Sequence, residues 1–188
     1  MPKRPARIAI IGWGSLVWNP DGLDIEPYWY QDGPMLPVEF ARVSRDGRLT
    51  LVLVEGLLVQ TTLWAVSRKA TLEEAAKDLE AREGCTDPRG IGSWPRIPGR
   101  SGVDRYDEVI RSWVEAKRLD GAAWTALGPK APNGKRILVP KEERLEYLRG
   151  LVAAGKEGAA MEYIVKAPAQ IETPFRELVR RELGWGKG

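Results

Sequence analysis

A short apolar run near the N-terminus stops at two closely spaced glycines, and this feature constrains the fold most. Residues 8–11 are all apolar, and Gly-Trp-Gly-Ser-Leu follows at 12–16. Such a run, ended by glycines, is typical of a buried strand that leads into a tight loop. Backbone N–H groups in a loop of this kind can turn toward one point and bind an anion or a developing oxyanion. The alternative is an ordinary tight turn.

The loop does not carry either of the common phosphate-binding fingerprints. A dinucleotide-binding loop needs a third glycine and a helix that opens behind it, and a P-loop needs Lys followed by Ser or Thr. Residues 12–20 have neither pattern. The sequence therefore predicts a small loop that binds a negatively charged oxygen atom of a ligand, called the oxygen-binding loop below, rather than a nucleotide site.

The composition bounds the class of protein. With 188 residues, 43% of them hydrophobic, the chain is predicted to form a single domain over 1–188. The N-terminal segment lacks the apolar core and cleavage site of a signal peptide. The chain has one cysteine, Cys85, which cannot form a disulfide within the chain. We therefore expect a cytoplasmic protein. The net charge is +3, with acids and bases interspersed, so neither a nucleic acid nor a membrane is expected as a partner.

The chain contains no histidine, and this restricts its chemistry. A Ser-His-Asp triad, a Cys-His pair and a histidine-containing zinc site are all excluded. The single cysteine also excludes a metal site built from several cysteines, so no metal is expected. Proton transfers in an enzyme of this composition fall to Asp, Glu, Lys, Tyr or water.

Residues 71–84 are predicted to form a helix that carries a candidate acid. Thr71 and Glu74 have the spacing of a capping box, and Gly84 is a typical C-terminal stop. At about 100° per residue, Glu83 points to the same side as the apolar residues of this helix. In a semi-apolar pocket, loss of water around this carboxylate would favour it as a general base. The alternatives are a frayed, solvated helix end or an ion pair with a neighbouring arginine.

The segments around this helix alternate between strand and helix patterns. Strands are predicted over 37–44 and 48–54, joined by a hairpin turn at Asp46-Gly47, and further strands over 57–66, 108–116 and 122–127. Helices are predicted over 140–154, over 157–167 and after Thr173-Pro174. The pattern indicates an α+β protein in which 156–188 form a C-terminal helical extension packed on the same domain.

The segment 85–104 is rich in glycine and proline, and a loop is predicted there. Because it directly follows Glu83, it is a candidate lid. Its arginines suggest a clamp for a carboxylate, and the alternative is a solvated flexible loop. These arginines are Arg89, Arg96 and Arg100, together with Arg105 directly after the segment.

Two motifs of the chain resemble the γ-glutamylcyclotransferase-like superfamily. Residues 12–20, GWGSLVWNP, are similar to its first-strand loop, which usually reads Gly-Tyr-Gly-Ser followed by Leu or Asn and which, in the glutathione-degrading branch, often continues to an aromatic-Asn-Pro ending. Residues 79–84, LEAREG, are similar to its short acidic motif at a helix end, with Glu83 in the position of the essential acid. Trp13 departs from the usual Tyr, and an indole N–H donates a hydrogen bond but cannot accept one.

The resemblance implies an α+β fold with a mixed β-barrel and flanking helices, and a metal-independent enzyme of the acyltransferase or lyase type that needs no cofactor. It would cyclise a γ-glutamyl group to 5-oxoproline and release an amine or amino acid, as in glutathione metabolism, with Glu83 as general base and acid. A monomer or homodimer is expected. The implied substrate-binding residues are Gly12, Trp13, Gly14, Ser15, Leu16 and Trp124.

Alternatives to this assignment remain open from sequence. Trp124 is equally compatible with a simple core position. A member of the same fold could bind a small molecule or a protein without catalysis, because fold does not dictate function. A nucleic-acid-binding protein is a weaker alternative, based on the basic segment 85–104 and the eight tryptophans.

Overall fold

The structure, a computed structural model, describes residues 6–100 and 104–186, with only the backbone described for 104 and 105. Within these residues the strands are β1 (Ile8–Gly12), β2 (Met35–Leu36), β3 (Val38–Val43), β4 (Leu49–Leu53), β5 (Gln60–Thr61), β6 (Leu63–Val66), β7 (Ile91–Trp94) and β8 (Gly121–Thr125). The helices are α1 (Leu72–Glu83), α2 (Asp104–Ala116), α3 (Lys141–Ala153), α4 (Gly158–Lys166) and α5 (Pro174–Leu183), with a short 3-10 turn at Pro88–Gly90. The α+β class is confirmed.

The chain divides into two compact units, each assembled from separate segments of the sequence. The first unit contains Met1–Gly12, Asn19–Leu36 and Thr61–Leu127, and the second contains Trp13–Trp18, Pro37–Gln60 and Gly128–Gly188. The predicted C-terminal extension, 156–188, falls entirely in the second unit. The single domain expected from sequence stays a prediction.

The first unit is built on a four-stranded mixed sheet with the order β6-β1-β8-β7. β1 is parallel to β8, with Ile8 opposite Gly121, and antiparallel to β6. Residues 8–11 are at most 1% exposed, which confirms the buried strand predicted from the apolar run. A strand covered on both faces carries apolar residues at every position, because it has no solvent side.

Helix α1 forms as its sequence signals predict. Thr71 caps the helix by accepting from the N–H of Glu74, and the Glu74 carboxylate accepts from the N–H of Thr71, which completes the capping box. Gly84 ends the helix in the left-handed region (φ 60°). The helix packs on β1, β7 and β8, with Ala75 and Leu79 fully buried.

The predicted strand over 108–116 is wrong, because α2 occupies this segment. Tyr106, Ile110 and Val114 lie four residues apart and are buried, so they form one apolar stripe of a helix. Arg111 bridges two glutamates, one three residues before it and one four residues after it, which adds support on the solvent side. The β-branched residues of the segment favoured a strand locally, and the helical spacing of its core contacts prevailed.

The predicted loop over 85–104 is wrong in its central part, and its residues 101–103 lie outside the described residues. β7 occupies Ile91–Trp94 and pairs antiparallel with β8, placing Gly92 opposite Trp124. The glycine that indicated a loop serves instead to make room for this indole, because a Cβ built on Gly92 would lie 2.3 Å from the Trp124 ring. The single strand predicted over 57–66 is also wrong: the segment begins as a strand only at Gln60, after a turn in which Gly56 has φ 78°, and it forms two strands, β5 and β6, that belong to different sheets.

The second unit contains the predicted hairpin. β3 and β4 pair antiparallel from Val38 opposite Leu53 to Val43 opposite Leu49, with a bulge at Ala41 and Gly47 at φ 81° in the turn. Helix α4 packs on β4, and α5 packs on β3 and α3. The three helices predicted in this region are confirmed.

None of the sheets formed by the described residues closes into a barrel. Within the same ranges, each helix falls short of the length and apolar character that crossing a membrane requires.

Candidate functional site

Helix α1 runs alongside β8 and ends at the same edge of the sheet. Leu72, at the start of α1, lies against Gly121, the first residue of β8. Cys85, just beyond the end of α1, lies against Gly90, whose carbonyl accepts from the N–H of Ala126, just beyond the end of β8 (2.8 Å). The start and end of the helix therefore match the start and end of the strand.

This direction brings Glu83 to the edge of the sheet where the predicted oxygen-binding loop begins. β1 is parallel to β8, so Gly12, its last residue, lies at the same edge. The carboxyl ends of parallel strands are where α/β sheets commonly bind ligands. Gly121 faces α1, and its register partner on β1 is Ile8. Because alternate residues of a strand lie on the same face, Gly12, four positions after Ile8, also lies on the face that α1 covers.

Glu83 is held in the last turn of α1 with one fifth of its side chain exposed. The N–H of Gly84 donates to carbonyls of the last turn, and the N–H of Cys85 donates to Glu80, so the helix is fully formed at the acid. The Arg82 guanidinium lies 3.8 Å from the Glu83 carboxylate and donates to the carbonyl of Asn19 (2.5 Å). The frayed helix end is thereby excluded, whereas the contact with a neighbouring arginine is present.

Residues 13–16 belong to the second unit and form a turn, in which the N–H of Val17 donates to the carbonyl of Gly14 (3.0 Å). Trp13 is 5% exposed, and its indole N–H donates to the carbonyl of Leu51 (3.3 Å). Neither Gly12 nor Gly14 has a positive φ. Gly14 is therefore needed for a close approach rather than for left-handed backbone, because a Cβ built on it would lie 2.4 Å from the hydroxyl of Tyr163.

Three successive N–H groups of this turn, those of Gly14, Ser15 and Leu16, donate to no acceptor in the described ranges. Gly14 and Leu16 are buried, and buried backbone donors are nearly always paired. A run of such donors can hold the oxygen of a carboxylate or stabilise a developing oxyanion. The predicted oxygen-binding role of the loop is compatible with this geometry and stays a prediction.

Trp124 is fully buried on the opposite face of the sheet from α1. It is the register partner of Ile11 and packs over Gly92, and its indole nitrogen finds no hydrogen-bond partner among the described residues. This environment is that of a simple core position, which is the alternative that the sequence left open for Trp124. Its predicted role in substrate binding is untested.

The arginines of the basic segment are paired with carboxylates of the protein. Arg89 binds Asp87 and Arg96 binds Asp107, each at 2.8 Å, and Arg100 binds Glu80 at 2.7 Å. The side chain of Arg105 lies outside the described residues. The charges of the three described arginines are thus offset locally by carboxylates of the protein, and the carboxylate clamp stays a prediction.

Sequence reasoning missed a side chain that lies against the oxygen-binding loop. Tyr163, on α4, is 5% exposed, and its hydroxyl lies directly against Gly14. The available signal was a hydroxyl-bearing residue on the apolar face that Ala160 and Ile164 form. Nothing in the local pattern, however, indicates which loop such a face meets.

No group of three or more Cys, Asp or Glu side chains in the described parts of the chain is placed to hold a metal ion. Comparison with known proteins finds no matching family model, curated protein or solved structure.

Proposed function

We propose that this chain is a γ-glutamylcyclotransferase-like enzyme that converts a γ-glutamyl group to 5-oxoproline. The observation that carries the proposal is the placement of Glu83. It is a half-buried carboxylate at the end of a well-capped helix, at the sheet edge where β1 ends in Gly12. The proposal includes the fold of this superfamily. It is supported by the order of elements along the chain, which is strand, hairpin, strand and acid-bearing helix.

In this reaction the substrate supplies its own nucleophile. The α-amine nitrogen attacks the γ-carbonyl carbon, a C–N bond forms to close a five-membered ring, and the original γ-amide C–N bond breaks. Tethering of the two groups can contribute up to about 7–11 kcal/mol to lowering the barrier in well-oriented cases. Such a step requires neither a histidine nor a covalent nucleophile from the protein.

Two tasks remain for the protein, and the proposal assigns them to different residues. Glu83 accepts a proton from the substrate ammonium and returns it to the departing nitrogen, so one carboxylate serves both steps. The loop at 12–16 holds a substrate oxygen, with the N–H groups of Gly14, Ser15 and Leu16 as donors. The unpaired state of these donors among the described residues supports this assignment.

The test is the release of 5-oxoproline from a panel of glutathione, γ-glutamyl amino acids and γ-glutamyl amines, measured by mass spectrometry. Glu83→Gln keeps the size of the side chain and removes the base, so we expect the rate to fall by about 10²–10⁴-fold with an unchanged fold by circular dichroism. Glu73→Gln, on the exposed side of the same helix, is the matched control and should keep wild-type activity.

Near-normal turnover by Glu83→Gln would exclude the proposed mechanism. If the wild-type protein releases 5-oxoproline from none of the substrates, the non-catalytic binding protein becomes the better assignment.

A further inference from the structure

In the second unit, the segment that begins at Gly128 is fastened to the end of β3. The N–H of Lys130 donates to the carbonyl of Ala41 (3.0 Å), and the N–H of Val43 donates to the carbonyl of Lys130 (2.9 Å). Arg42 and Lys130 are therefore partners in a parallel bridge. Because partners on neighbouring strands point to the same face, these two cations lie side by side.

A tight turn brings a further cation back toward Lys130. The N–H of Ala131 donates to the carbonyl of Lys135 (2.9 Å), and the N–H of Gly134, whose φ is 83°, donates to the carbonyl of Ala131 (2.9 Å). The chain thus reverses its direction between residues 131 and 135. Arg136, the next residue, returns beside Lys130.

The electrostatics of Lys130 show that these cations lie close together. Burial lowers the pKa of Lys130, and the positive charges of three arginines lower it further. No carboxylate of the described residues opposes this effect. Because charges influence a pKa in this way only at short range, the four cations form one group, called the Lys130 cluster below. Its members are Arg42, Arg45, Lys130 and Arg136.

Most of this positive charge is not offset by ion pairs. Arg45, Lys130 and Arg136 pair with no carboxylate in the described parts of the chain. The carboxylate next to Arg45 in sequence, that of Asp46, binds Arg48 instead (2.6 Å). The Lys130 cluster therefore presents a positive surface that is complementary to an anionic partner.

Two exposed aliphatic side chains follow the Lys130 cluster directly. Ile137 is 51% exposed and Leu138 is 41% exposed. The N–H of Ile137 donates to the carbonyl of Lys135 (3.0 Å), so the chain is tightly turned here and keeps both residues next to Arg136. Cations beside exposed aliphatic side chains are the combination by which proteins attach to the surface of a membrane.

We propose that the Lys130 cluster, together with Ile137 and Leu138, docks this protein on a membrane surface that contains anionic phospholipids. The cations bind the phosphate groups of the lipids, and the two aliphatic side chains enter the boundary of the acyl chains. A nucleic acid satisfies the charges alone, because the cluster contains no aromatic side chain on which a base could stack. The inference does not depend on the proposed reaction.

The sequence alone predicts no membrane partner, because charges of both signs are interspersed along it. The fold changes this expectation, because it gathers cations from two segments that are far apart in sequence. A surface attachment of this kind also requires no membrane-spanning helix.

The first test is sedimentation with vesicles of phosphatidylcholine and phosphatidylglycerol in equal parts, compared with vesicles of phosphatidylcholine alone. We expect the wild type to bind the mixed vesicles and to be released as the salt concentration rises. Lys130→Gln with Arg136→Gln should bind about fivefold more weakly for each charge removed. The matched control, Lys77→Gln with Lys156→Gln, removes two exposed charges elsewhere and should bind like the wild type.

The second test concerns the aliphatic part of the surface. Ile137→Ser with Leu138→Ser leaves the charge unchanged and should also weaken binding to the mixed vesicles, because less apolar area enters the membrane. Circular dichroism checks that each variant keeps its fold. Competition with a single-stranded oligonucleotide separates a membrane partner from a nucleic acid.

A wild-type protein that does not bind the mixed vesicles, or that binds both kinds of vesicle equally, would overturn the inference. Unchanged binding by either variant of the surface would do the same, as would an equal loss in the control. If an oligonucleotide binds more tightly than the mixed vesicles and requires Lys130 and Arg136, the cluster is a nucleic-acid site and the membrane proposal is refuted.

Discussion

At the scale of single residues, Gly92 and Trp124 show how one close approach decides a local structure. A Cβ on Gly92 would lie within 2.3–2.6 Å of three indole atoms of Trp124, which is fully buried and has no room to move aside. Dense cores transmit such strain because few voids exist to absorb it. The glycine therefore belongs to the sheet rather than to a loop.

We expect Gly92→Ala to lower the free energy of unfolding by about 1–3 kcal/mol through overpacking. Urea unfolding followed by tryptophan fluorescence measures this change. Gly128→Ala is the control, because nothing lies within 4 Å of a Cβ built there and its φ is not positive. Equal stability of Gly92→Ala and the wild type would contradict the packing described for β7 and β8.

At the scale of elements, α1 is the helix whose ends are specified most clearly by sequence. The Glu74 N–H donates to Thr71 Oγ1 (3.2 Å), and Glu74 Oε2 accepts from the N–H groups of Ala70 and Thr71 (3.1 Å each). Such reciprocal bonds satisfy donors that the first turn of a helix leaves unpaired. A short local motif is thus enough to begin the helix that carries Glu83.

We expect Thr71→Ala to destabilise the protein by about 1 kcal/mol, the usual effect of removing an N-cap side chain. Thermal unfolding by circular dichroism gives the comparison. Thr86→Ala, at an exposed position just after the helix, should change the melting temperature little. A drop of the same size in both variants would show that the cap contributes nothing specific.

At the scale of the whole molecule, the pH dependence of stability includes a contribution from a buried carboxylate. Glu39 is 3% exposed and accepts from the N–H groups of Phe40 (2.8 Å) and Phe175 (3.4 Å). Burial is the largest influence and raises the pKa of Glu39 above its ordinary value, although Thr173 and Arg144 oppose the shift. The protonated form is therefore favoured in the folded state relative to the unfolded state.

The sign of the pH effect follows from this raised pKa. The stabilisation linked to proton binding by Glu39 is fully present below the unfolded-state pKa of about 4.3 and is lost as the pH rises through the folded-state pKa. Glu39→Gln cannot titrate, so the stability of the wild type relative to this variant should decline as the pH rises from about 4 toward neutrality. Urea unfolding at several pH values measures the difference.

Glu177→Gln, which removes an exposed carboxylate on α5, is the matched control for the same charge change. A difference between wild type and Glu39→Gln that is constant over this pH range would contradict the prediction.

The sequence by itself determined the elements that depend on neighbours in the chain. The buried strand β1, the hairpin around Asp46-Gly47, the capped helix α1 and the helix behind Thr173-Pro174 all follow from turn residues, caps and periodicity within about a dozen positions. The partly buried position of Glu83 was predictable for the same reason, because helical spacing places this residue on the core side of α1.

Only the tertiary structure decided the features that depend on partners far away in sequence. β7 became a strand because β8 offers it an edge, and α2 became a helix because its apolar stripe meets the sheet. The contact of Tyr163 with Gly14 joins residues about 150 positions apart, and no local pattern specifies it. Packing overrides local propensity at such places, because burial of a matching surface outweighs differences of a few tenths of a kcal/mol per residue.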